Sequence, residues 1–284
     1  MDVTDVLVTG AYGRCGTALA DHLDPDDYEL VPLDRSPPPT DADDPYDADP
    51  IVADVSDADV VREAVGTVEP DAIVHLAACP RVDAAWDELL GPNVLGVHHV
   101  LEAAREAAVE SIVFASSNHV VGGYEDEHAP ELYEPRYGLV LDAAAPVRPD
   151  SSYGTTKAFG EALCRQYVDE DGAPDRCYAL RIGSVRGSRD DHPYADAERG
   201  VEAGEFERGS AAYREQVART KATWQSRRDF AALVDCCLRD DTVDYGVFYG
   251  VSDNARRWFD LEDARARLGY RPVDDAEAFD GPSG

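Results

Sequence analysis

The sequence predicts an α/β protein with a doubly wound parallel sheet and a smaller C-terminal portion. Three observations predict it. Short apolar runs bounded by turn residues alternate with stretches of helical period, as βα units do. The first run, Val3 to Thr9, enters a glycine-rich turn and then a helical pattern. Later runs end in small or polar residues, at the sheet edge where such a fold places its chemistry.

Taken in order, Gly10-Ala11-Tyr12-Gly13-Arg14-Cys15-Gly16 joins the first strand to the helix "TALADHL". Strand, glycine turn and helix form the context of a dinucleotide fingerprint. Gly10 permits the tight turn. Gly13 lets a pyrophosphate approach the helix N-terminus, where free N–H groups and the dipole favour anions. Gly16 lets the helix pack on the strand. Tyr12 and Arg14 share the turn and join the cofactor-binding candidates. The spacing is GxxGxxG, so by itself an ordinary βα turn is the alternative.

The second strand, "YELVPLD", ends at Asp34, 18 residues after Gly16. An acid there takes the adenosine ribose hydroxyls and opposes a 2′-phosphate, which favours NAD over NADP. Arg35 weakens that preference. Residues 35–50 form a polar Pro/Asp loop. "IVADVSDADVVREAV" reads as a short strand, then Asp54-Val55, then a helix capped by Asp57. Asp54 is a candidate for the adenine edge, with a plain helix-entry acid as the alternative. "DAIVHLAACP" is a fourth strand, and small residues after Leu76, namely Ala77 and Ala78, suit close passage of a cofactor. His75 within it reads as a core histidine. A long amphipathic helix begins near Asn93.

The fifth strand ends at Ser116-Ser117-Asn118-His119. Three of these polar side chains, from Ser117 to His119, are candidates for substrate contact; a turn of capping residues is the alternative. Residues 124–150 read as an acidic loop. Tyr153-Gly154-Thr155-Thr156-Lys157 then opens a helix. The i,i+4 spacing sets a phenol and an ammonium on one face. A nearby cation favours phenolate, which can remove a proton from an alcohol. A sixth strand ends at Arg181-Ile182-Gly183-Ser184. Residues 186–222 are polar and charged, either a substrate lid or a surface insertion. A helix over "RRDFAALVDCCLRD", a strand over "DYGVFYGVSD" and a short helix complete the chain. No clean linker divides it. The expected division is 1–182 for the cofactor and the Ser/Tyr/Lys site, and 183–284 for a smaller substrate-binding portion packed on it.

Composition narrows the setting. The 284 residues carry 58 acidic and 26 basic side chains, a net charge of −32. Only two lysines occur, Lys157 and Lys221. The acids are spread along the chain and form a solvated surface. Such a surface suits a cytoplasm of very high salt, where screening relieves self-repulsion. It repels nucleic acid and anionic membranes, so neither is expected as a partner. The six cysteines show no zinc spacing, Cys236-Cys237 read as core residues, and a reducing cytosol is expected. No metal site is expected. The chain enters its first strand at once, leaving no room for a signal peptide, and no apolar run approaches a membrane span.

Glycine turn, ribose acid, strand-end serine and Tyr-x-x-x-Lys stand in the order and spacing of the extended short-chain dehydrogenase/reductases, and the chain resembles that superfamily over nearly its whole length. The resemblance implies a Rossmann-like NAD-binding fold and NAD as cofactor. It implies that Tyr153 is the catalytic acid/base, that Ser117 holds the substrate oxygen, and that Lys157 grips the nicotinamide ribose and lowers the Tyr153 pKa. It also adds Val55 and Ile182 to the cofactor-binding set. "FASSNHVVGGYE", "SYGTTKAFGE", "RIGS" and "ATWQSRRDF" resemble the uronate dehydrogenases and the NAD-dependent glucose-6-phosphate dehydrogenases of salt-loving archaea. That likeness implies a small anionic sugar as substrate, touched by Ser117, Asn118, His119 and Ser184. Arg219, five residues before Trp224, would bind the anionic end; if it is only a surface cation, Arg227 or Arg228 is the alternative anion contact. The C-terminal region is nearer the archaeal group, which favours glucose 6-phosphate over a uronate. The insertion at 186–215 departs from the uronate dehydrogenase pattern. A homodimer through the helices at 93–108 and 151–169 is expected by the same analogy. A nucleotide-sugar epimerase and a non-catalytic dinucleotide sensor remain as alternatives. A dehydratase would carry an acidic pair where Asn118-His119 stand.

Overall fold

The computed structural model describes residues 3–38, 44–170 and 174–281, so part of the expected 35–50 loop lies outside the described residues. Seven parallel strands form one sheet: β1 (Thr4–Thr9), β2 (Tyr28–Asp34), β3 (Ile51–Val52), β4 (Ala72–His75), β5 (Ser111–Ser117), β6 (Arg176–Ile182) and β7 (Tyr245–Gly250). Their order is β3-β2-β1-β4-β5-β6-β7. The order reverses between β1 and β4, and a crevice opens there beyond the strands' carboxyl ends.

The strands read as continuous apolar runs because both faces are buried. Val6, Val8, Val74, Val113 and Leu180 belong to one core. Leu7, Ile73, Ile112, Phe114 and Ala179 belong to the other. The alternation follows the two-residue period of a strand.

Helix α1 (Arg14–His22) follows β1, α2 (Ala58–Val68) follows β3, and α3 (Trp86–Leu89) and α4 (Gly96–Glu106) follow β4. Asp57 caps α2, accepting from the Asp59 and Val60 amides. The helix expected to start near Asn93 starts earlier, at Trp86. It passes through a π-helical turn at Leu90–Leu95. Pro92 has no N–H to donate, and the wider turn accommodates that gap.

Strand β5 ends at Ser117. The Ser117 hydroxyl accepts the His119 amide at 3.2 Å and caps a 3-10 turn over Asn118–Val121. The stretch read as a loop from 124 lies partly in α5 (Gly122–His128). Helix α6 (Ser152–Asp169) is capped by Ser151, whose hydroxyl accepts the Gly154 amide at 3.1 Å.

Residues 186–222 are ordered by two helices, α7 (Ala195–Glu202) and α8 (Ala211–Thr223). Buried Ala195, Ala197 and Tyr213 give this segment a small core that its polar composition concealed. Ion pairs such as Arg199–Asp196 and Arg208–Glu198 tie its turns together. Helix α9 (Arg227–Arg239) packs on α1, and α10 (Glu262–Arg267) packs on β7. The parallel sheet therefore runs on past residue 182, because β7 pairs with β6 from Cys177↔Tyr245 to Ile182↔Gly250. Among the described residues no helix is long and apolar enough to cross a membrane.

Candidate active site

A cleft of about 1200 Å³ lies over the switch point, lined by the carboxyl ends of β1, β2, β4, β5 and β6 and by Arg219 of α8. Its floor at one end is the glycine turn. Gly10 has φ +71°, and a Cβ there would lie 2.8 Å from the Ala77 amide nitrogen. Only glycine fits both demands. Gly13, Tyr12 and Arg14 also line the cleft. Gly16 does not, although the sequence grouped it with the cofactor residues. A Cβ there would sit 2.2 Å from the Ala11 carbonyl oxygen, so its part is close packing of α1 on the turn.

Asp34 lies at the end of β2 within the cleft. Its carboxylate accepts the Tyr12 amide at 3.1 Å and the Ser36 amide at 3.3 Å. That leaves a fixed acceptor suited to ribose hydroxyls. Asp54 and Val55 line the same end, and Asp54 also accepts the Ser56 amide at 2.8 Å. Leu76, Ala77, Ala78 and Ile182 line the middle. His75 faces inward instead: its Nδ1 lies 2.8 Å from the Thr9 hydroxyl, and burial lowers its pKa to about 3. It is a neutral core residue.

Ser117, Asn118, His119, Tyr153, Lys157, Ser184 and Arg219 line the same cleft, and Ser117, His119 and Tyr153 are in mutual contact. The His119 ring meets the Tyr153 ring edge-on at 5.8 Å. His119 Nδ1 lies 2.6 Å from Asp150 Oδ2. Burial works against the Asp150 charge, but the hydrogen bonds from His119 and Ser151 outweigh it and hold the carboxyl below its ordinary range. An ionised Asp150 fixes the imidazole so that its other nitrogen is the free one. The Ser184 hydroxyl lies 3.0 Å from the Thr223 hydroxyl, which aligns the end of β6 with α8.

The Tyr153–Lys157 pair differs from expectation in one respect. Lys157 Nζ donates to the Ala115 carbonyl at 2.7 Å and lies 5.8 Å from the centre of the Tyr153 ring. Burial raises the Tyr153 pKa to about 12, and the neighbouring Ser117 hydroxyl, rather than Lys157, pulls it back down. Burial lowers the Lys157 pKa to about 8. The sequence placed the two on one helix face but could not show that a strand carbonyl would take the ammonium.

Arg219 is likewise not a free cation. It is paired at 2.8 Å with Glu125 on α5, which also accepts the Tyr133 hydroxyl at 2.7 Å. Burial opposes the Arg219 charge and Glu125 more than restores it, so its pKa is raised.

Other residues that support the site were not singled out from sequence. Asn93 is buried; its side chain accepts the Cys79 amide at 2.7 Å and donates to the Thr156 hydroxyl at 3.1 Å. It ties the loop after β4 to α6. A polar residue on the apolar face of the expected helix was the available signal. Glu161, one turn beyond Lys157, accepts two bonds from Arg181 at 2.9 Å and one from Ser116 at 2.5 Å. The i, i+4, i+8 series Tyr153, Lys157, Glu161 marks one face of α6 and could have flagged it.

A glycine turn, an acid at the end of β2 and a Ser-Tyr-Lys group at the switch point of a parallel sheet are the marks of a dinucleotide-binding enzyme. The chain belongs to the NAD dependent epimerase/dehydratase family, whose model matches residues 6–237. It is 38% identical over 277 residues to an NAD-dependent glucose-6-phosphate dehydrogenase of Haloferax volcanii, covering 96% of this chain and 95% of the relative. It is 34% identical over 275 residues to a uronate dehydrogenase of Pseudomonas putida, covering 96% and 85%. Its fold matches a uronate dehydrogenase from Agrobacterium tumefaciens in complex with NAD, with a TM-score of 0.74 and 29% identity over 98% of this chain and 88% of that one.

Proposed function

We propose that the protein is an NAD-dependent sugar dehydrogenase that oxidises the anomeric carbon of an anionic aldose to a lactone, with glucose 6-phosphate as the foremost substrate. The observation that carries this reading is the convergence of Ser117, Tyr153 and His119 at one end of a cleft whose other end suits a dinucleotide. The side-chain-free turn at Gly10 and Gly13 and the Asp34 acceptor fit NAD. When bound, NAD accepts the hydride that leaves the sugar carbon.

The protein's own residues handle binding and the proton. Ser117 holds the hydroxyl oxygen of the anomeric carbon. Tyr153, as phenolate, takes the hydroxyl proton as the carbon–oxygen double bond forms. Asn118 and His119 orient ring hydroxyls, with His119 fixed by Asp150. Lys157 would hold the nicotinamide ribose. Arg219 supplies a forked cation to the sugar's anionic end.

The likeness to the Haloferax relative favours a sugar phosphate. A uronate is the second reading, because Glu125 already offsets the Arg219 charge. One carboxylate suits a half-neutralised guanidinium better than a phosphate dianion does. NADH formation in molar salt, with glucose 6-phosphate, glucuronate, galacturonate and glucose offered separately, separates the two. Turnover of glucuronate but not of the phosphate reverses the order.

Arg219→Ala should raise KM for the preferred anionic sugar by about 10-fold or more while leaving KM for NAD within twofold, since a charge-assisted bond is worth roughly 1.5–3 kcal/mol. Equal effects on both constants would remove Arg219 from the sugar site. Asp34→Ala should loosen discrimination between NAD and NADP, measured as the ratio of kcat/KM values. An unchanged ratio would mean that the ribose is held elsewhere.

The working environment belongs to the same reading. A net charge of −32 suits a concentrated-salt cytoplasm, and all six cysteines are free, as a reducing compartment requires. Exposed Leu90, Leu95 and Phe159 lie on or beside the helices expected to pair two copies of the chain, which supports a homodimer. Within residues 183–284, Ser184 and Arg219 serve the substrate, while β7 completes the sheet of the first portion.

A further inference from the structure

We propose that Arg186 is a cofactor-binding residue: it grips the diphosphate of the dinucleotide from the loop after β6, opposite Arg14 and the N-terminus of α1, and Asp196 on α7 positions it. This rests on the dinucleotide reading of the cleft. Arg186 and Arg14 both line that cleft.

Their backbones are pinned together by a third arginine. Arg227, buried at 3% exposure, donates from Nη1 to the Arg14 carbonyl at 2.9 Å and to the Arg186 carbonyl at 3.4 Å. The same guanidinium bonds Thr17 and Asp21 of α1. Two chain segments far apart in sequence therefore present cationic side chains from the reach of a single nitrogen, beside the helix end that favours anions.

The Arg186 side chain is only 12% exposed, and its Nε is buried with no hydrogen-bond partner. A guanidinium N–H left unpaired is costly, and a shift of the side chain that brings it to a ligand oxygen in the cleft would relieve that cost. Its Nη2 is held by Asp196, and its Nη1 donates to the Val185 carbonyl at 3.2 Å. Asp196 is shared with Arg199, which also pairs with Asp190 at 3.2 Å. Burial lowers the Arg186 pKa; Asp196 works against that, and the nearby Arg14 and Arg199 charges add a smaller lowering.

The diphosphate fits better than the sugar's anionic end. Arg186 is tied to the α1 side of the cleft through Arg227, whereas Arg219 is tied to α5 through Glu125. The arrangement also links the 186–222 segment to cofactor binding, because Asp196 belongs to α7.

Isothermal titration of the full chain with ADP-ribose and with adenosine tests the proposal. Arg186→Gln should weaken ADP-ribose by about 10-fold or more, as loss of a charge-assisted contact does, and leave adenosine unchanged. Arg186→Lys should fall between the two. Asp196→Asn should weaken ADP-ribose several-fold without affecting adenosine, and Asp196→Glu should restore most of the loss. Unchanged ADP-ribose affinity in Arg186→Gln, or an equal loss for adenosine, overturns the proposal. A rise in KM for the sugar with unchanged ADP-ribose affinity also overturns it, by moving Arg186 to the substrate. Failure of the unsubstituted protein to bind ADP-ribose would instead overturn the dinucleotide reading itself.

Discussion

Tyr153→Phe should lower kcat by about 100-fold or more while leaving NAD affinity within about twofold. The variant keeps the ring that packs against His119 and removes only the oxygen that exchanges the proton. Steady-state NADH formation and NAD titration together check it. The pH profile adds a sharper expectation. Burial places Tyr153 near 12 and Lys157 near 8. The productive form, phenolate with ammonium, shares one proton between the two groups, and so does the more abundant neutral pair. Both rise and fall together with pH. In the free protein, kcat/KM for NAD should therefore climb up to about pH 8 and then level off, instead of waiting for the phenol to titrate. A rise that continues unbroken past pH 10 would mean that Lys157 is not part of the pair.

Glu161→Ala should destabilise the fold by roughly 3–5 kcal/mol, because it strands the Arg181 charge in the core. Glu161 and Arg181 are 6% and 2% exposed. The Arg181 guanidinium also donates to the Tyr249 hydroxyl at 3.1 Å, and the Tyr245 hydroxyl donates to the Glu161 carbonyl at 2.9 Å. One ion pair thus joins α6, β5, β6 and β7 directly behind Ser117 and Lys157. Denaturant unfolding at constant salt measures the loss. Replacing both members with apolar residues, Glu161→Leu with Arg181→Met, should recover most of it, since a buried pair contributes little beyond what good packing supplies. A double variant as unstable as Glu161→Ala would show that the pair stabilises the fold in its own right.

The sheet was legible because its strands are buried on both faces and announce themselves as unbroken apolar runs. The places of Asp34, Ser117 and Tyr153 in the cleft were legible because such a fold opens its crevice at strand ends and helix starts. What the sequence hid were partners distant along the chain. The acid that holds Arg219 lies 94 residues away at Glu125, and the one that holds His119 lies 31 residues away at Asp150. Neither stands in a local motif, and in a chain so rich in carboxylates no single acid looks unusual. The 186–222 segment misled for a related reason. Its helices are held largely by arginine–carboxylate pairs over a small core, so their apolar periodicity is faint. The i,i+4 rule set Tyr153 and Lys157 side by side correctly, yet it could not foresee that the Ala115 carbonyl would claim the ammonium.

The most direct test of the account uses glucose 6-phosphate and glucuronate carrying deuterium at the anomeric carbon, incubated with the protein and NAD in molar salt. The favoured sugar should yield lactone, and the NADH formed should carry the deuterium. Unlabelled NADH, or cofactor that stays bound with no net reduction while the sugar keeps its label, would contradict it.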